Sequence, residues 1–329
     1  MNGANWFPVS HAVSERGVVF FRAQNNLTNE LQKKLVHRLG QLSGKPASST
    51  LHIHPILNST AEFGVEGDNE ISTISSLQRK KLFRHDRQTD PRRYDSAQWH
   101  SDIQFEPAPA DYTSLRLTQL PRTGGDTVWA SGYDLYDRFS SPYQRFFEGL
   151  TATFVGQGFI DAAARNPERI HLHEVTRGSP ANVGRDLEAV HPVVRTNPVT
   201  GWKSIFAVGP FPKFINELSA RESDELLAKF KQTVAENHDL QVRFKWRNQN
   251  DLGDCPIFLF PFNPPPSKFG ARGVCANLDI PSQRYGTIVA FSTPPPSTTR
   301  AWGRGSETAL SELVSGRILT PTVSQRRRR

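Results

Sequence analysis

Up to Asp251 the chain alternates between short apolar runs and polar turns, with only a few stretches at helical spacing. Gly17-Val18-Val19-Phe20-Phe21-Arg22 is apolar and bounded by polar residues, so it reads as a buried strand. From Asn29 to Leu42 the apolar positions Leu31, Leu35, Val36 and Leu39 predict a helix, with Thr28 as its N-cap. Glu70 to Ser75 alternates as a strand. Tyr133 to Leu150 gives two short helices broken near Ser140-Ser141-Pro142, and Thr151 to Val155 resumes a strand. Phe159 to Asp186 is polar and irregular and reads as an insertion-like loop. His191 to Thr196, a turn at Asn197 to Gly201, and Trp202 to Phe206 predict strand, turn, strand. Ser219 with Glu222 three residues on is a capping box, opening a helix to about Glu236. Leu240 to Trp246 alternates as a further strand. Many short strands and few helices predict a mainly β fold with flanking helices (α+β), a double-stranded β-helix or jelly-roll of two facing sheets.

Within this pattern, Trp99 to Ser131 carries the candidate chemistry. His100-Ser101-Asp102 is an H-x-D triplet, and in extended backbone residues i and i+2 share a face, so both side chains can reach one ion. An imidazole and a carboxylate suit non-haem Fe(II). With a second His from elsewhere they make a 2-His-1-carboxylate facial triad that leaves positions open for co-substrate and O₂. Standing alone, the triplet is more commonly a surface His beside a surface Asp. Further on, Gly124-Gly125-Asp126-Thr127-Val128-Trp129 is a turn feeding a strand whose Thr127 hydroxyl can meet a ligand carboxylate.

The motifs WHSDIQFEP, LPRTGGDTVWAS, SERGVVFFRAQ and HPVVRTNPVTGWKSIF together resemble the TauD/TfdA family of taurine- or sulfonate-type dioxygenases, most closely its fungal branch, over roughly Ser14 to Asp251. The resemblance implies Fe(II), with 2-oxoglutarate and O₂ as co-substrates. It also implies His100 and Asp102 as metal ligands and Thr127 as a 2-oxoglutarate contact. The substrate it implies is a small organic acid, most simply a sulfonate. Fold and triad do not choose that substrate, and other hydroxylations stay open. The His52-Ile53-His54 pair has metal-binding chemistry, but in the resembled family this region is structural or lines the substrate entrance, which is the role expected of it. His191 is assigned to the core on the same ground. Arg79 to Arg93 reads as a solvated charged loop, with a mobile lid as the sharper alternative.

Composition narrows the partners. The net charge of +8 invites a nucleic-acid reading, but residues 253–329 hold ten Lys/Arg against four Asp/Glu, while the preceding 252 residues hold 30 against 28. The basic character belongs to the tail. Its four terminal arginines are bare of interleaved aromatics, so no nucleic-acid partner is expected. No apolar run reaches the roughly 18 residues a membrane span needs. The first residues show no secretory signal, and two cysteines, Cys255 and Cys275, fit a reducing, cytoplasmic setting. A homo-oligomer remains open.

After Asp251 the pattern breaks. The resemblance calls for a strand like I-W-D-N-R followed by the His that closes the triad, then an Arg for the distal carboxylate of 2-oxoglutarate. Neither is present, and no His follows His238. Read one frame over, Arg284 to Val289 permits Ile-Trp-Asp-Asn-Arg, and Phe291 to Thr299 permits Phe-His-Thr-Ala-Thr-Phe-Asp-Tyr. Ser306 to Ile318 likewise permits a match to the family's Arg region. A retained intron explains the shift: Gly253 can supply a GT donor, Gln283 a CAG acceptor, and Ala276 to Leu278 a branch-point-like sequence. Two bases of the Gly253 codon plus the codons of 254–283 are not divisible by three. The organisation expected is therefore a poorly defined 1–13, a truncated dioxygenase domain over 14–252 and an aberrant, disordered 253–329 with no core strand. The chain as it stands is expected to be inactive or nearly so. The alternative from another class is a non-catalytic jelly-roll pseudoenzyme or binding protein.

Overall fold

The computed structural model describes residues 7–21, 24, 26–57, 64–65, 68–73, 99–117, 126–244, 257–261 and 287–291. The helices that spacing and caps predict all form, and others join them. α1 (Phe7–Arg16) precedes β1 (Val19–Phe21), and α2 runs Asn29–Leu42 with the Thr28 hydroxyl accepting the Leu31 N–H. Val13 of α1, Leu39 of α2 and Tyr112 are buried together. Residues 7–13 thus belong to an ordered helix. The sequence pattern leaves them undefined because the helix is short and its buried partners are distant in the chain.

All strand pairs among the described residues are antiparallel. β2 (Gly64–Val65) and β3 (Asp68–Ser72) form a two-stranded ribbon. β4 (Tyr112–Arg116) and β5 (Thr127–Ser131) flank the Gly124-Gly125-Asp126 motif, whose glycines lie outside the described residues, as does Arg79 to Arg93. Two short helices follow, α3 (Gly132–Asp137) and α4 (Ser141–Glu148), with Pro142 in the first turn of α4. β6 (Thr151–Val155) is the middle strand of a three-stranded sheet. Its neighbours are β7 (Glu188–Pro192) and β10 (Pro212–Ile215), a strand the pattern missed. Between β7 and β10, β8 (Val194–Thr196) and β9 (Lys203–Ile205) form the predicted hairpin. α5 (Gln157–Arg165) occupies part of the stretch read as a loop: Phe159, Ala162 and Ala163 pack against Ile56 and Ile170, a face too narrow to stand out among polar neighbours.

α6 (Ala220–Glu236) buries Leu226, Leu227, Phe230 and Val234 at helical spacing. Phe230 meets Phe139 and Phe147 edge-on, at 5.8 and 5.1 Å. At its start the Glu222 carboxylate accepts the Ser219 N–H at 3.0 Å. This helix closes the main core, where Trp99, Phe154 and Phe206 are also buried. That core anchors the segment leading into His100.

The tail departs from expectation. β11 (Gln241–Phe244) forms within the predicted strand and pairs with β5, but β12 (Ile257–Pro261) lies between β1 and β4, and β13 (Thr287–Phe291) pairs with the other edge of β5. The apolar run Ile-Phe-Leu-Phe is a strand despite the prolines that follow it, and its Pro261 falls at the strand end, where the ring is tolerated. Segment 253–329 therefore contributes two strands. No helix among the described residues is long and apolar enough to cross a membrane.

Candidate active site

His100 follows buried Trp99, and Asp102 opens an irregular turn. The two side chains converge: His100 Nε2 donates to Asp102 Oδ1 at 3.1 Å. They do so without the extended strand the triplet suggested. Residues 102–105 are turn, and Ile103 adopts φ +46°, a left-handed conformation unusual for a β-branched residue. Curling the chain after Ser101 brings the carboxylate back to the imidazole, as a strand would have done by alternation.

Phe211 and Gly209 help to fix His100. The edge of Phe211 packs against its ring at 6.2 Å between centroids. Gly209, at φ +118°, passes so near that a Cβ there would lie 2.8 Å from the His100 Cβ and 2.9 Å from its Cα. Only glycine suits both the backbone angle and the gap. Phe105, Phe159 and Phe211 meet at 5.2 to 6.1 Å in an aromatic cluster that reaches the pair through the Phe211–His100 contact.

Donors on adjacent positions of an octahedral ion with bonds of about 2.1 Å sit about 3 Å apart, and His100 and Asp102 match that spacing. The pair fits two protein positions of an iron site. Among the described residues no group of three or more His, Cys, Asp or Glu forms that could hold a metal.

Three other described histidines make contacts within the scaffold. His54 Nδ1 accepts the N–H groups of Ile56 and Leu57 at 3.2 and 3.0 Å, closing a turn. His52 Nε2 donates to Glu106 at 3.2 Å, and the His52 and His54 rings stand 6.5 Å apart at 85°. His191 lies in the core as assigned, donating from Nε2 to the Glu106 carbonyl at 3.0 Å. Thr127 is buried at the start of β5, opposite Phe244 and Phe291 on the flanking strands. Beside it Asp126 accepts from Arg243 Nε at 2.7 Å.

Sequence pattern also passes over Glu106. It is fully buried, and its carboxylate receives the Arg177 guanidinium in a fork, at 2.5 and 2.9 Å. Burial alone pushes its carboxyl up, but the hydrogen bonds from His52 and Arg177 outweigh that and hold it below the usual range. Only the motif string FEP marks the residue in sequence, since its partners lie far along the chain.

The buried histidines set a pH dependence. Burial, assisted by the Arg195 charge, pushes His191 down to about 3, so the folded chain keeps it neutral where an unfolded chain takes up a proton. Stability should therefore fall as pH drops from about 6.5 toward 3, by roughly 1.4 kcal/mol per pH unit for this group. Glu106 adds to the loss as pH falls through its depressed value. Denaturant melts at a series of pH values check this, and a His191→Gln chain should show a shallower slope.

Comparison with known proteins places the chain in a family. The family model described as taurine catabolism dioxygenase TauD, TfdA family matches residues 7–258, further at both ends than the motif resemblance. An alpha-ketoglutarate-dependent dioxygenase, btcD of Neocamarosporium betae, is 48% identical over 249 residues, covering 73% of this chain and 70% of that protein. The alpha-ketoglutarate-dependent sulfonate dioxygenase of Saccharomyces cerevisiae is 30% identical over 245 residues, covering 71% and 50%. The crystal structure of a taurine dioxygenase from Burkholderia xenovorans superposes with a TM-score of 0.56 at 21% identity, covering 89% of this chain and 75% of that one, which speaks to the fold. With the H-x-D pair convergent and the family model spanning most of its length, the chain belongs to the TauD/TfdA family, enzymes that use Fe(II), 2-oxoglutarate and O₂ as dioxygenases.

Proposed function

We propose that this protein derives from an Fe(II)- and 2-oxoglutarate-dependent dioxygenase that oxidises a small organic acid, a sulfonate before others, on a double-stranded β-helix. The observation that carries the reading is the 3.1 Å approach of His100 to Asp102, locked by Gly209. His100 and Asp102 hold the iron, and Thr127 contacts 2-oxoglutarate. Bound Fe(II) supplies O₂ activation at the expense of 2-oxoglutarate decarboxylation. The chain's own contribution is to orient two donors and to exclude water with the aromatic cluster of Phe105, Phe159 and Phe211. The name of the yeast relative supports a sulfonate, and the two cysteines support a cytoplasmic setting.

This chain carries the pair without the closing His or the carboxylate-binding Arg, which leaves it inactive or nearly so. The missing residues lie in the shifted frame beyond a retained intron. A jelly-roll binding protein is the second reading, favoured by the same incomplete donor set. A panel of short alkyl sulfonates and matching carboxylates, offered to the frame-restored chain with Fe(II) and 2-oxoglutarate, tests the substrate class. Succinate formation stimulated by sulfonates is expected; stimulation by carboxylates alone would refute the sulfonate reading.

A further inference from the structure

We infer that Glu106 and Arg177, with Asn182, act as positioning residues: a buried clamp that holds the Asp102 turn in metal-binding shape. The inference rests on the reading that His100 and Asp102 take the metal. Three residues after Asp102 the chain has no regular structure of its own, and Ile103 sits at a strained angle. A backbone hydrogen bond, from the Glu106 N–H to the Ile103 carbonyl at 3.0 Å, spans the turn. The His100–Asp102 contact adds to it locally, and further partners come from distant segments.

Arg177 Nε and Nη2 grip the two carboxylate oxygens of Glu106, and His52 donates to one of them. His191 donates to the Glu106 carbonyl. Two residues on, Asn182 forms a reciprocal pair with Ala108, accepting its N–H at 2.8 Å and donating to its carbonyl at 2.7 Å. Gln104 donates to the Phe206 carbonyl at 2.5 Å. Arg177 is itself held, because Nη1 donates to the carbonyls of His173 and Gly184 at 2.9 and 2.8 Å. Behind it Gly178, at φ +83°, lies so close to the Leu51 carbonyl and the His52 backbone that no Cβ fits.

Glu106 is 0% and Arg177 1% exposed. A buried ion pair contributes little net stability compared with an apolar pair of similar shape, whereas its forked geometry fixes orientation. That combination suits a device for shape. Loop 173–184 thus holds the turn through Arg177 and Asn182, while His191 ties it to the sheet of β6 and β7.

The test uses the full chain and four forms: parent, Glu106→Gln, Arg177→Met and the double variant. Each single change strands a buried charge and should lower Tm, while the double variant should recover most of that loss. Peptide-resolved hydrogen exchange separates shape from stability. A positioning role predicts exchange in 99–108 faster by about tenfold or more in all three variants, the double included, with the hairpin of β8 and β9 following Tm alone. A double variant whose 99–108 exchange returns to the parent rate along with Tm would overturn the inference. Co(II) titration, followed at the His100 imidazole resonance, adds a second readout: about tenfold weaker binding in the double variant is expected, and unchanged binding counts against the clamp. Parental Co(II) binding that bypasses His100, with exchange responding as described, would remove the metal reading and leave the clamp supported.

Discussion

Restoring the reading frame is expected to convert an inactive chain into an active one. Deleting the last two bases of the Gly253 codon through the codon of Gln283 joins Leu252 to the alternative reading of Arg284 onward. That returns an Ile-Trp-Asp-Asn-Arg strand, a His and a carboxylate-binding Arg region to the sequence. Loss of an outer-shell partner alone costs such sites about 10 to 100-fold, so regaining a direct protein donor should raise 2-oxoglutarate turnover by more than about a hundredfold. Succinate release from the two purified proteins, with Fe(II) and a sulfonate present, measures this. Equal turnover by the two forms would refute the frame argument. Sequencing the spliced transcript tests it independently, since an abundant, translated message retaining those bases would refute it as well.

The second large effect is expected at Gly209. Alanine there meets His100 Cβ at 2.8 Å and the Trp99 carbonyl at 2.9 Å, and it must also adopt φ +118°. Trp99 is buried in the main core and cannot yield easily, so His100 moves. A change that displaces one donor by a few tenths of an ångström or more separates it from Asp102. Gly209→Ala should therefore weaken Co(II) binding by about tenfold or more, and the strained backbone should cost roughly 1–3 kcal/mol of stability. Gly201→Ala is the control. It has φ +73° and open space around its Cβ position, so it carries the backbone strain without the contact. Comparable Co(II) affinity in the two variants would show that the contact with His100 does not matter.

How far the sequence foretold this structure follows the range of the interactions. Local signals held: Thr28 caps α2, Pro142 starts α4, and Glu222 reaches back to Ser219. The H-x-D pair also converges, though through a turn and not by strand alternation. What remained hidden is made by contacts between residues far apart in the chain. Glu106 meets Arg177 across 71 positions and His52 across 54, and nothing near either residue announces its partner. The reason for Gly209 is equally nonlocal, because only the folded chain brings it against His100. β12 was missed because the prolines after it obscure a short apolar run whose partners are β1 and β4.

The central claim is that His100 and Asp102 form one metal-binding pair. Paramagnetic broadening of the His100 imidazole resonance by Co(II), with 2-oxoglutarate present, tests it most directly. The account predicts selective broadening of that resonance in the parent chain and its loss in Asp102→Ala. Broadening that survives the Asp102 change undiminished, or that falls on other histidines while His100 stays sharp, would contradict it.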